Sequence, residues 1–212
     1  SDYRLRAVDT GEIGMRAVAK AAHEASPLDL DPGQYTVILE PSAVGELLYA
    51  LFWSLDAREA DEGRSWLADK DGATKLGEKL LDARVTITSD PADPLAPHST
   101  FDWEGLPQER TVWVENGVIK TLGYSRYWAE KTGKAPCPTP GGLVMAGGDA
   151  SVEDMIRDVR RGILVTRVWY TNILDPRTLL MTGLTRDGNF LIENGRIVGP
   201  ARNFRFNESV IA

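Results

Sequence analysis

Along residues 162 to 206, GILVTRVWYTNILDPRTLLMTGLTRDGNFLIENGRIVGPARNFRF, runs of β-branched and aromatic residues are cut at short intervals by turn residues. This pattern predicts a β-meander. Asp187-Gly188 and Asn194-Gly195 can take the positive φ angles of tight hairpin turns, so residues 178–185, 190–193 and 196–198 are expected to pair antiparallel. Asp175-Pro176 marks the turn ahead of them.

Upstream the apolar spacing changes to that of helices. Residues 9–25 carry apolar positions at Ile13, Val18 and Ala21/Ala22, an amphipathic helix closed by Pro27, with His23 read as a solvated surface residue. A strand is expected at residues 35–40. From Val44 the apolar residues fall at Val44, Leu47, Leu48, Leu51, Phe52 and Leu55, drawing one stripe along a helix. The opposite face of that helix bears Glu46, Tyr49 and Trp53, which is too aromatic for a plain solvated surface and suits a cleft or a partner. Residues 56–83 read as charged with short helical pieces, EGRSWL and ATKLGEKLL, and with Trp66, Leu67 and Leu76 packed on the core.

A strand at 84–89 precedes a proline-rich acidic loop containing His98. Asn116-Gly117 then joins strands 110–115 and 118–121 in a second hairpin of the same chemistry. A helix at 124–132, with Tyr124, Tyr127 and Trp128 expected in the core, stops at Gly133. After an irregular stretch around Cys137 and a short strand at 143–145, Ser151 and Asp154 form a capping box for a helix that ends at Gly162. Together these elements predict an α+β fold, mostly antiparallel sheet with packed helices.

Four ordered blocks carry a family resemblance: YTVILEPSAVGELL at 35–48, VENGVIKTLGYSRYWAEKTG at 114–133, GGDASVEDMI at 147–156, and VTRVWY…DPRTLLMTGLTRDGNFLIENGRIV…NFRFNES near the end. The chain resembles the C-terminal region of the TldD/PmbA family over most of residues 28–209. The resemblance implies a C-terminal domain at residues 28–212, truncated at its C-terminal end, with residues 1–27 as a helical arm left from a preceding domain.

The resemblance also frames the chemistry. TldD-type members carry an HExxxH motif on the helix after a Pro…Gly-x-Leu-Leu lead-in, supplying two zinc ligands and a general-base glutamate. Aligning Pro41 and Gly45 on that lead-in puts Tyr49 and Ser54 at the histidines and Ala50 at the glutamate. Zinc takes imidazole, thiolate or carboxylate ligands, and activating its water needs a base. Tyr49, Ala50 and Ser54 offer none of these. The implied assignment is the PmbA or TldE type, with no metal or catalytic residue of its own and zinc only in a TldD-like partner. Peptide-cleft candidates are Glu46, Tyr49 and Trp53 on the helix, and Asn203, Arg205 and Asn207 on the final strand.

Composition narrows the partners. Among 212 residues the formal net charge is −7 and the pI is near 5.0, which leaves no basic stripe to neutralise phosphates. Nucleic acid is therefore not an expected partner, although an old label for the family is modulator of DNA gyrase. With one cysteine, Cys137, there is no internal disulfide and no cysteine-based zinc cluster. The apolar runs are far shorter than the ~20 residues that span a bilayer, so a soluble, cytoplasmic protein is expected. Partners are a TldD-like HExxxH subunit or a second copy, and a peptide. Two other readings stay open: a self-sufficient hydrolase using Glu40, Glu46, His98 and Cys137, and a non-enzymatic interaction module.

Overall fold

In a computed structural model that describes residues 8–23 and 26–211, the meander segment supplies the longest strands. β6 (Arg161–Asp175) and β7 (Leu180–Glu193) lie side by side in a sheet of order β1-β6-β7-β8, with β1 at Thr36–Leu39, β8 at Arg196–Ala201, and β9 (Arg205–Ser209) also paired to β7. β1 pairs parallel with β6, Thr36 opposite Gly162 through Leu39 opposite Val165. This parallel contact interrupts the expected antiparallel pattern. The second sheet is antiparallel throughout, in the order β4-β3-β2-β5, with β2 Ile87–Ser89, β3 Thr111–Glu115, β4 Val118–Ile119 and β5 Val144–Met145.

The two Asn-Gly turns form as read. Asn194 and Gly195 have φ of 49° and 76° and set Glu193 opposite Arg196, while Asn116 and Gly117, at 50° and 81°, set Glu115 opposite Val118. The Asp187-Gly188 turn does not form. Both residues have positive φ, 61° and 118°, yet β7 continues through them as one strand. β8 pairs with β7 from Asn189 onward, whereas Thr185 N–H donates to Phe204 O just ahead of β9. The pair is thus a kink where β7 changes partner, because its flanking residues bond to other strands and not to each other.

Two compact units emerge. The first gathers the described residues up to Glu46 with Asp149–Asn172 and Thr182–Asn207, and the second gathers Leu47–Gly148, Ile173–Met181 and the described residues from Glu208. Ile38, Ile156, Leu164, Phe190 and Ile192 form the first core. α5 (Val152–Asp158) packs there, and its capping box is present: Ser151 Oγ accepts from Asp154 N and the Asp154 carboxylate accepts from Ser151 N, both at 3.0 Å.

The second core is built on Leu51, Leu55, Trp66, Leu67, Ile87, Trp113 and Trp128. Each of its buried indoles has a hydrogen-bond acceptor. Trp66 Nε1 donates to Ser54 Oγ at 2.9 Å, Trp113 Nε1 to Ser89 Oγ at 2.8 Å, and Trp128 Nε1 to Asp61 Oδ2 at 2.6 Å. A buried N–H left without such an acceptor is costly, so these pairs help select one packing.

Several local expectations are corrected. α1 spans Thr10–Ala21 and buries none of its residues, with Ile13 and Val18 exposed, so its apolar stripe is not a core face. The end of that expected helix, at 24–25, lies outside the described residues. EGRSWL and ATKLGEKLL form turns and bridges, and helix there is limited to α3 (Ala57–Asp61) and a single 3-10 turn at Lys70–Gly72. Trp66 and Leu67 are buried, but Leu76 is exposed. In α4 (Arg126–Thr132) Trp128 is buried and Tyr127 is exposed, and Gly133 closes the helix at φ 67°.

Candidate functional site

The segment to build from is β1, Glu40 and α2 (Pro41–Ser54). Proline suits the first position of a helix, where its missing N–H would have had no partner. Glu40 holds the junction by accepting from Ala43 N and Val44 N through its carbonyl, while its own N–H donates to Val165 O. Its carboxylate meets Lys20 Nζ at 2.6 Å, and the same ammonium donates to Thr166 Oγ1 at 2.8 Å. Glu40 is therefore committed to an ion pair that ties α1 to the sheet. Beside that clasp lies a cavity of about 420 Å³, lined by Arg16, Lys20, Ala21, Thr166, Gly188 and Phe190 among others. His23 is exposed, with its ring 4.9 Å from that of Phe190.

Along α2 the buried positions are Ala43, Ala50, Leu51 and Ser54, with Leu55 buried just past its end, so the core face is rotated slightly from the stripe read in the sequence. Tyr49 and Trp53 are 58% and 60% exposed, and Glu46, three residues before Tyr49, is half-buried. The half-buried Phe52 joins them: its ring lies 6.1 Å from Tyr49 and 5.1 Å from Trp53, and Tyr49 meets Trp53 edge-on at 6.0 Å. Phe52 thus leaves the core stripe that its spacing predicts. The result is an exposed aromatic cluster, each ring fixed by its neighbours.

The three positions that align with HExxxH do not point the same way. Tyr49 faces outward, while Ala50 and Ser54 face the core at 5% and 6% exposure. Ser54 Oγ donates to Leu51 O at 2.9 Å and accepts from Trp66 Nε1, so its hydroxyl is spent. A phenol, a buried methyl and an occupied hydroxyl do not fit a zinc ion.

The remaining candidate donors fare no better. His98 Nδ1 lies 3.3 Å from Ala96 O, and its Nε2 is buried without a partner among the described residues. Burial pushes the Cys137 thiol above its ordinary pKa, and its sulfur is 3.8 Å from Pro138 O. Among the described residues no three His, Cys, Asp or Glu side chains converge to hold a metal, and no helix is long and apolar enough to cross a membrane.

Asn203 lies just ahead of β9 and not on it as expected, while Arg205 and Asn207 lie on the strand; all three are exposed, and Arg205 and Asn207, two apart, share a face. Asn203 Oδ1 accepts from Asn189 Nδ2 at 2.9 Å, and Arg205 Nη1 donates to Thr182 Oγ1 at 3.0 Å. Two of the three are thereby oriented by β7.

Residues 32–212 match the family described as the PmbA/TldA metallopeptidase C-terminal domain. The chain belongs to this family. Among curated relatives it is 26% identical over 220 residues to a metalloprotease of Methanothermobacter thermautotrophicus, covering 98% of this chain and 47% of that protein. It is 33% identical over 102 residues to a metalloprotease of Archaeoglobus fulgidus, covering 48% of this chain and 23% of that one. Among solved structures it superposes on TldE from Thermococcus kodakarensis with a TM-score of 0.79 at 26% identity, covering 97% of this chain and 48% of the other. The chain thus spans at most about half the length of these relatives. PmbA/TldD membership and the antiparallel-dominated α+β fold expected from the sequence both stand.

Proposed function

We propose that this chain is the C-terminal region of a TldE-like subunit, without metal of its own, that shapes a peptide channel for a zinc-bearing TldD-like partner. The observation that supports this reading is the state of the three motif positions on α2. Catalysis of the TldD kind needs two imidazoles and a carboxylate converging on one point. Here Tyr49 is turned outward, Ala50 has no polar atom, and Ser54 is consumed by Trp66 and Leu51. The likeness to a TldE over nearly the whole chain agrees with it.

In this reading the Tyr49–Phe52–Trp53 cluster, with Glu46 beside it, gives the channel a preset aromatic wall for apolar side chains. Taken by themselves on the first unit, Asn203, Arg205 and Asn207 offer donors and acceptors to an extended peptide backbone. The protein works in the cytoplasm, in a heterodimer.

A peptide-cleavage assay on this chain, on an HExxxH subunit and on the two mixed tests the proposal, with zinc quantified in each. Cleavage is expected only in the mixture, with zinc following the HExxxH subunit. Cleavage by this chain alone, or stoichiometric zinc lost on Glu46→Ala or His98→Ala, would overturn it.

A further inference from the structure

Beside the kink in β7 the sheet of the first unit carries a cluster that the reading above does not use. Arg167 and Trp169 alternate on β6 and so share a face. Arg167 Cζ lies 5.7 Å from the centre of the Trp169 ring, and Arg186 Cζ, from β7, lies 4.7 Å from the same centre. One indole thus carries two guanidinium groups. Trp169 is 42% exposed although Val168 beside it is buried, so the ring stands at the surface and is not core.

Asp187 is the carboxylate between the two arginines, 3.4 Å from Arg167 Nη1 and 3.7 Å from Arg186 Nε. Neither contact is a short fork-to-fork pair, and one anion cannot balance two cations. The patch keeps a net positive charge on a chain whose formal net charge is −7. Next in line, Tyr170 sits at φ 53°, in the left-handed region that bulky residues avoid, and is 70% exposed. Strain at an exposed aromatic is not repaid by burial. It signals a surface shaped for contact.

Exposed cation–π pairs contribute about 0.5–1 kcal/mol each, which would account for one arginine on the ring as ordinary surface packing. Two cations on one indole recur at Trp128, where Arg58 Cζ and Lys131 Nζ lie 5.5 and 4.8 Å from the ring centre; what such packing does not explain is the strained tyrosine and the carboxylate set between the two arginines. A guanidinium held over an indole keeps N–H donors clear of the ring, and those not turned to Asp187 match the two oxygens of a carboxylate. The ring also restrains both side chains beforehand, so less rotamer freedom is lost when a ligand arrives.

We infer that Arg167, Trp169 and Arg186 form a carboxylate clamp, and that its ligand is an acidic side chain or the terminal carboxylate of an extended peptide. The peptide part rests on the function proposed above, while the carboxylate chemistry stands on the cluster itself. Because the rest of the chain repels anions, binding depends on this local patch and weakens as salt screens it.

The test follows the indole N–H of Trp169 by NMR in the ¹⁵N-labelled full chain, with the signal assigned by its loss in Trp169→Phe. Hippurate is expected to shift that signal and its amide, hippuramide, to leave it in place. Arg186→Gln is expected to weaken hippurate binding about tenfold or more, the loss of a hydrogen bond to a charged group, while the other indole signals stay put and report an intact fold. Arg186→Lys keeps the charge without the fork and should fall between.

Three short alanine peptides then separate the sources: one blocked at both ends, one with a free C-terminal carboxylate, and one blocked but with a central glutamate. The free-carboxylate or glutamate peptide is expected to bind more tightly than the blocked one, and the preference to vanish in Arg186→Gln. Equal shifts from hippurate and hippuramide, or hippurate binding indifferent to Arg186→Gln, would overturn the clamp. Blocked peptides binding as well as charged ones would sink the clamp and leave the channel reading standing. Hippurate binding through Arg186 with no peptide bound would uphold the clamp and count against the channel.

Discussion

Ser54→Ala removes one oxygen from the core of the second unit and tests why the α2 motif position is closed to chemistry. Ser54 Oγ accepts from Trp66 Nε1 at 2.9 Å, and Trp66 is 1% exposed, so no water can take the place of the hydroxyl. Stranding that indole N–H costs about 1–3 kcal/mol. Two gains work against the loss. Alanine is the better helix former by at most about 0.5 kcal/mol, and less at the last residue of α2, and the methyl no longer carries a buried hydroxyl. The net expectation is a destabilisation of about 1–2 kcal/mol.

Urea unfolding followed by far-UV circular dichroism measures it, and a double-mutant cycle isolates it. Trp66→Phe removes the donor, so Ser54→Ala in that background should cost about 1 kcal/mol less than in the wild type. A single substitution within about 0.3 kcal/mol of wild type, or a coupling of zero, would refute the reasoning. Ser54 would then be free to face a ligand, and the case for a metal-free subunit would lose its strongest support.

The triple substitution Tyr49→His, Ala50→Glu, Ser54→His restores the motif in name only, and elemental analysis after dialysis should find no stoichiometric zinc. Ala50→Glu buries an unpaired carboxylate at a site 5% exposed, so the urea midpoint should fall by the equivalent of about 3 kcal/mol or more; one equivalent of retained zinc would contradict both statements. Gly117→Ala places a Cβ 2.1 Å from Leu81 O at φ 81°, and the left-handed backbone plus the clash should cost about 2–4 kcal/mol in the same assay. Burial raises the Cys137 pKa, so less thiolate is present at any pH near the ordinary value of about 8.5; alkylation by iodoacetamide, read by mass spectrometry, should lag a free cysteine peptide there and catch up only at higher pH.

Features decided within a few residues were legible in the sequence. The two Asn-Gly hairpins, the Ser151–Asp154 capping box and the Gly133 stop each rest on local backbone chemistry, and all are present. The aromatic face of α2 was legible for the same reason, since helical spacing alone separates Tyr49 and Trp53 from Leu51 and Leu55. Pairings made across long stretches of chain were not. Nothing local joins Thr36 to Gly162, and nothing in residues 9–25 says that Ile13 and Val18 stay exposed. Residues 62–82 misled in another way. Their composition favours helix, but Leu80 N and Leu81 N donate to Gly117 O and Ile119 N donates to Glu78 O, so tertiary bonding to the hairpin overrides the local preference.

The contrast between Asn194-Gly195 and Asp187-Gly188 shows where local reasoning stops and why that bears on function. Both pairs adopt positive φ, so the conformational preference was read correctly in each case. A hairpin needs more: the residues on either side must bond to each other, as Glu193 and Arg196 do. Around residue 187 the neighbours are already taken, with Thr185 bound to Phe204 and Asn189 opposite Ala201, so the chain cannot turn back and kinks instead. A turn at that point would have placed Asp187 at a loop tip. The kink instead holds Asp187 in the sheet within reach of Arg167, and Arg186 over Trp169. The feature that the sequence could not disclose is therefore the one that assembles the carboxylate clamp.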